Sequence, residues 1–267
     1  MDADSRKSAL RKLDNMDIFT GFPDAVTDEK SLNKYYEKYQ WDDREFFKHW
    51  KTGAFARHQS LIYEQKNVFF DVRALWVSYR MWAGWAAVGP ALLQPPLFIK
   101  DGPDSFNYGS LGQLVVSALM RGYGATGSKI DETGVWKPWW TDSTRERYTR
   151  ILDCLRTSES EVQHQEAGVL EDLLAEIASL SVAYKAHLGL PAFKRSVVLP
   201  GLQFSSSQIF FVAHCAKMCE LSKGLEKDRL SSHAKCNVPL RHEANFAHAF
   251  KCSAGSPMNP EQRCSVW

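Results

Sequence analysis

Eight histidines (His49, His58, His164, His187, His214, His233, His242 and His248) and six cysteines are the side chains best suited to a metal or a reactive centre. Two imidazoles share a helix face and one metal at a spacing of four residues, and no two histidines stand four apart. His242 and His248 are six apart, which puts them on different faces. Glu161 and His164 are three apart, but exposed Glu–His neighbours are an ordinary solvent-facing pattern. Cys215 and Cys219 form an i, i+4 pair that reads as two core thiols, since free cysteine is among the most buried residue types. Ser205-Ser206-Ser207 reads as a helix cap rather than a nucleophile, because no histidine-bearing loop can be assigned to it. Gly122-Tyr123-Gly124-Ala125-Thr126-Gly127 has the glycine spacing of a dinucleotide-binding turn. A helix rather than a strand precedes it, so it reads as a plain turn. The residues alone assemble no catalytic constellation.

The elements that must position these residues are mostly helical. The first 66 residues read as polar helix, with Leu32, Tyr35, Tyr36 and Tyr39 at helical spacing after Asp28. Phe46, Phe47, Trp50, Phe55 and Leu61 follow Asp42 and Asp43 with the same period. Val68 to Val77 is β-branched and aromatic, hence strand-like. Recurrent prolines from Pro90 to Pro103 imply extended chain and turns. Helices are expected over Tyr108–Tyr123, Thr141–Leu155, Ser160–His187, Ser205–Leu221 and His242–Phe250. Val169, Leu170, Leu173, Leu174, Ile177 and Leu180 line one face of the longest. The expectation is an α-rich fold with a little sheet, as a helical lead-in (1–66) packed on a main domain (67–267).

With 267 residues, 33 basic against 31 acidic side chains and 44% apolar residues, the chain suits a packed globular protein of net charge +2. The near-neutral balance, with no long basic run, argues against nucleic acid as a partner. No run reaches the eighteen or so apolar residues a membrane span needs. Met1 to Lys7 are followed by no apolar stretch, so no signal peptide is expected. All six cysteines fall in the C-terminal half, which hints at disulfides and an oxidising compartment. These two readings pull in opposite directions on localisation.

The C-terminus, Phe246-Ala-His-Ala-Phe-Lys-Cys252 through Met258-Asn-Pro260 to Cys264-Ser-Val-Trp267, closely resembles that of the neprilysin and endothelin-converting-enzyme family of zinc metallopeptidases. Leu93-Gln-Pro-Pro-Leu-Phe98, Asn107-Tyr-Gly109 and Trp139-Trp-Thr141 resemble three further signatures in the family's order. Leu13 to Tyr36, with Gly21-Phe-Pro-Asp24, resembles the approach to the catalytic domain. The resemblance covers nearly the whole chain but only about the last third of a full family member. It implies a thermolysin-like α+β fold, a zinc cofactor, peptide substrates, and an extracellular or secretory setting.

The chemistry the family needs is altered position by position. Its His-Glu-x-x-His motif should fall at 117–121, where the chain has Ser117-Ala118-Leu119-Met120-Arg121. The third ligand position maps to Asp172 and the neighbouring acid to Glu176. The substrate-binding strand maps to Trp76-Val77-Ser78-Tyr79. The transition-state histidine and substrate-binding arginine map to Arg229 and Lys235. Zinc is therefore not expected to be retained, and the expected function is a peptide- or protein-binding pseudopeptidase, or a truncated remnant. Its partners would be peptides or an active family member. An active zinc metalloendopeptidase is the competing reading, and it must be reconciled with the absence of any His-x-x-x-His. The resemblance also implies a Cys154–Cys264 disulfide. It leaves Cys215, Cys219, Cys236 and Cys252 to pair among themselves, stay free or bond to another chain. Trp76, Trp82 and Trp85 are candidates for an exposed surface, with core burial the commoner fate of such rings.

Overall fold

A computed structural model describes residues 1–22, 28–37, 45–63, 74–219 and 230–264. In chain order the elements are α1 (Ala3–Asp14), β1 (Asp17–Thr20), α2 (Glu29–Tyr36), α3 (Phe46–Tyr63), β2 (Ser78–Arg80) and β3 (Trp85–Val88). There follow α4 (Asp104–Asn107), α5 (Gln113–Met120), α6 (Asp142–Ser158), α7 (Ala167–Leu188), α8 (Ala192–Arg195), α9 (Ser206–Ala216), α10 (Ser232–Arg241) and α11 (Ala244–Ala249). The fold is mainly helical with one small sheet, ordered β1-β3-β2. β1 runs parallel to β3, with Asp17 opposite Trp85, and β2 runs antiparallel to it, with Ser78 opposite Ala87.

The lead-in is not wholly helical: β1 is a strand, and its four residues are too few to show a period. α1 is anchored by charge. Asp2 caps it by accepting from the Ser5 backbone N–H (2.9 Å), and its carboxylate also meets the hydroxyls of Thr141 and Thr144 at the start of α6. Lys12 donates to the carbonyls of Gly127 (2.9 Å) and Ile130 (2.8 Å) and lies over the Trp139 ring. Burial pushes the Lys12 ammonium down to about 8. The expected Val68–Val77 strand falls mostly outside the described residues.

α7 is the central helix. Leu170, Leu173, Leu174, Ile177, Leu180, Ala183 and Tyr184 are buried along one face, as the i, i+3, i+4 pattern requires. Its N-terminal half packs with α6 and α10 around Leu155, Val162 and Val238, and its C-terminal half with α9 and α11 around Phe210, Phe211 and Phe246. The expected helix from Ser160 is broken. Ser160–Val162 is a single 3-10 turn and α7 begins at Ala167. α9 ends at Ala216 rather than Leu221, and α10, which carries Pro239 within it, is a further helix beyond those expected.

The sequence signatures have local structural work to do. The Asn107 side chain donates to the Ile99 carbonyl (2.8 Å) and accepts from the Ile99 N–H (2.9 Å), closing the loop after the proline run. Gly109 lies in a π-helical turn (Tyr108–Gly112) that leads from α4 into α5, and a Cβ there would overlap the Phe210 carbonyl of α9. Thr141 caps α6, and the Trp139 indole donates to Gly127 O (3.0 Å). Ser205 caps α9 in a full capping box with Gln208, as expected. Two disulfides close the fold, Cys154–Cys264 as the resemblance implies and Cys215–Cys236, which joins α9 to α10. Cys219 and Cys252 are free thiols, so Cys215 and Cys219 are not a pair of core thiols.

Candidate functional site

α5 packs against α7 in the most extensive contact between elements of the fold. Positions 117 and 121 are one helical turn apart on α5 and its C-cap, and both face α7. The Ser117 hydroxyl donates to Glu176 Oε1 at 2.7 Å. The Gln113 amide, one turn earlier, donates to Glu176 Oε2 (2.6 Å) and to Ser179 Oγ (2.7 Å). From α9, Lys217 donates to Gln113 Oε1 and approaches His214 Nδ1 (3.3 Å). His214 is wholly buried, and burial together with the Lys217 charge pushes its imidazole down to about 3. It is therefore neutral, with Nδ1 as an acceptor. Burial likewise pulls Lys217 down to about 8, against the opposing pull of Glu176.

At the other end of the site Arg121 Nε lies 3.6 Å from Asp172 Oδ1. Both side chains are largely exposed, so the pair contributes under about 1 kcal/mol to stability. Its significance is chemical: the carboxylate faces a permanent cation. Ala118, where the resemblance sets the family's general base, is buried beside Val77, Val88, Leu92 and Leu111 and offers no proton acceptor. Zinc needs three protein ligands drawn from imidazole, thiolate and carboxylate. Here one position is a serine already bonded to Glu176 and the second is a guanidinium. A dication about 4 Å from that guanidinium would meet about 2 kcal/mol of repulsion even at full water screening. The donor set does not fit zinc, and among the described residues no group of three His, Cys, Asp or Glu side chains could hold a metal ion.

The pair stands between two depressions. One, of about 440 Å³, has Leu97, Leu114, Leu173 and Met218 on its walls and Ser117, Glu176, Lys217 and Lys235 among its polar groups. The other, of about 500 Å³, has Met120, Tyr123, Tyr148 and Glu171 on its lining. Arg121, Val169 and Asp172 border both. Burial and the neighbouring Asp172 hold the Glu171 carboxyl above its ordinary value.

Of the residues expected at the site, Ser117, Arg121, Asp172, Glu176 and Lys235 meet at this cleft. Trp76 and Val77 do not line it: Trp76 is exposed, Val77 is in the core, and their neighbour Leu75 faces the cleft instead. Arg229 lies outside the described residues. Trp82 is exposed and stacks on Trp136 at 6.4 Å, and Trp85 is half-buried, so core burial holds for neither Trp76 nor Trp82. Glu161 is held at 2.9 Å by Arg241, which also pairs with the buried Glu159 at 2.5 Å, an architectural use of that acid. Sequence reading missed Gln113, Ser179 and Lys217. The spacing of Gln113 and Ser117 by four residues, matched by Glu176 and Ser179 by three, was the available signal.

The depressed Lys217 makes a stability prediction. An ammonium at about 8 in the folded chain and near 10.5 unfolded is a native-state penalty while both states are protonated. Stability from this group therefore rises as pH climbs from 8 to 10.5, by on the order of 3 kcal/mol. Lys12 adds a rise in the same window. Buried Tyr79, Tyr123 and Tyr148, whose phenols are raised by burial, oppose it above pH 10. Urea unfolding of wild type and Lys217→Met across pH 7–10.5 isolates the Lys217 contribution as the difference between the two curves. Parallel curves would refute it.

Helices on a small mixed sheet, with a cleft beside α5 and α7, are the arrangement expected of the metallopeptidase domain that the sequence resembles. Solved structures agree. The chain superposes on a Mycobacterium tuberculosis zinc metalloprotease in its open state with a TM-score of 0.78 at 21% identity, covering 100% of this chain and 44% of that one. A Haemonchus galactose-containing glycoprotein complex gives 0.80 at 20% identity, covering 99% and 47%. The profile of peptidase family M13 matches residues 86–266, and the chain belongs to that family. It is 26% identical to Neprilysin-1 of Caenorhabditis elegans and 27% identical to human endothelin-converting enzyme-like 1. It is covered fully in both cases and spans 39% and 37% of their lengths.

Proposed function

We propose that this chain is a non-catalytic M13 homologue that binds peptides in the α5–α7 cleft. The observation that carries this reading is the Arg121–Asp172 ion pair, which sets a fixed cation against the one acid left at the family's metal positions. The walls of the cleft support binding: leucines and a methionine surround a few polar groups, the usual make-up of a ligand site. At the positions where the resemblance sets the metal ligands and the general base, Ser117, Arg121 and Ala118 supply neither, so on this reading the bound peptide is held rather than cleaved. Exposed Phe46, Phe47, Trp50 and Phe55 on α3 favour a second role, association with another protein, an active family member being the partner the resemblance suggests. The test is a panel of fluorescence-quenched peptides assayed with added zinc and, in parallel, for binding by anisotropy. Binding without cleavage is expected. Zinc-dependent cleavage abolished by a chelator would establish an active metallopeptidase instead.

A further inference from the structure

Between Glu176 and Glu220 the chain has no acidic residue, while Lys185, Lys194, Arg195 and Lys217 all fall there. The middle of that stretch, residues 188–204, runs from the end of α7 through the single turn of α8 to the start of α9. It is rich in apolar side chains that the core does not take up. Phe193 is 71% exposed, and Leu188, Val197, Val198, Leu202 and Phe204 are between 40% and 51% exposed. Single exposed apolar residues are ordinary, but six in one connecting segment mark a surface that meets something other than water. Cations stand among them. Lys194 and Arg195 share α8 with Phe193, and Lys185 lies on the last turn of α7. Asp104 of α4, which packs on α8, offsets part of the Arg195 charge: the two act in opposite senses on buried His187. Lys185 and Lys194 are exposed and make no ion pair among the described residues.

We propose that the 188–204 segment docks the protein on an anionic lipid surface. Phe193 and its apolar neighbours enter the headgroup boundary, and Lys185 and Lys194 hold the charged heads. Apolar side chains gain by leaving water at that boundary, and cations gain from the negative surface potential. No helix of the described residues is long and apolar enough to cross a membrane, so the contact is one of lying on the surface. A folded protein is the other class of occupant for an apolar face. The lysines favour lipid: they come from two elements, beside apolar side chains on an irregular connection, and a fluid anionic surface needs no matching contour. The segment owes nothing to the cleft, so this reading is independent of peptide binding.

The experiment is co-sedimentation of the full chain with two kinds of vesicle, phosphatidylcholine alone and phosphatidylcholine with about one third phosphatidylserine. Binding about tenfold tighter to the anionic vesicles is expected, and it should weaken as salt rises. Phe193→Ser/Val198→Ser and Lys185→Glu/Lys194→Glu should each weaken that binding by about tenfold. All four side chains are exposed, so both variants keep the fold. Hydrogen exchange locates the contact, with the amides of residues 192–204 slowed by anionic vesicles. Slowing confined to α3, another exposed aromatic face, would overturn the assignment. No binding, equal binding to both vesicles, or binding untouched by either variant would overturn it as well. Self-association abolished by Phe193→Ser/Val198→Ser, without vesicle binding, would give the face to a protein partner instead.

Discussion

The triple variant Ser117→His, Arg121→His, Asp172→Glu is expected to retain close to one zinc ion per chain where the wild type retains none. The two new imidazoles stand at i and i+4 on α5, facing α7, and the longer carboxylate reaches them from the position that now holds the ion pair. Removing Arg121 also removes the repulsion a dication would meet. The single change Arg121→His should not suffice, since one imidazole and one carboxylate make a weak site. Elemental mass spectrometry after dialysis against a weak chelator reads the result. A triple variant that folds and stays free of zinc would show that the backbone at 117, 121 and 172 no longer has the metal geometry. The loss would then be architectural as well as chemical.

The second large effect concerns covalent closure. Cys154 and Cys264 are 110 residues apart, so their bridge restricts most of the unfolded C-terminal half. The chain-entropy relation puts the loss on removing such a link at about 4–5 kcal/mol, against about 3 kcal/mol for Cys215–Cys236 with its separation of 21. Local contacts depend on the longer bridge as well. The Cys264 N–H donates to His242 Nδ1 at 3.0 Å, and the other ring nitrogen lies 3.1 Å from Glu159. Cys154→Ser/Cys264→Ser should therefore lower the thermal midpoint by roughly 10 °C or more, and further than Cys215→Ser/Cys236→Ser. Equal losses, or the reverse order, would show that the loop length does not govern the stabilisation.

Much of this was readable in the residues, for physical reasons. Helices with strong periods, α6 and α7 above all, were legible because one face must be apolar to bury against the core. Signatures such as Asn107-Tyr-Gly109 were legible because they serve packing: Asn107 pins a loop and Gly109 admits the α9 backbone, tasks that persist whatever becomes of the chemistry. β1 was not legible, because a four-residue edge strand takes its conformation from β3 rather than from its own pattern. α10 carries Pro239 and little periodic apolar pattern, and its contacts with α7, α9 and α11 hold that segment helical. At the site, Ser117, Arg121 and Asp172, singled out in the sequence, border one cleft. Their spacing gave no sign of what they bond to. The Ser117–Glu176–Gln113–Lys217 network depends on three helices meeting, and no spacing within one segment announces it. Trp76 and Val77 show the converse: a strand register carried over from relatives set them at the cleft, and the fold turns Val77 into the core.

The most direct measurement is the zinc content of the purified wild-type chain, prepared without chelators and given equimolar zinc before dialysis. Less than about a tenth of an ion per chain is expected, since Ser117 and Arg121 supply no ligand and Asp172 faces a guanidinium. Near-stoichiometric zinc, lost on Asp172→Ala, would contradict a non-catalytic homologue and return the chain to the working metallopeptidases of its family.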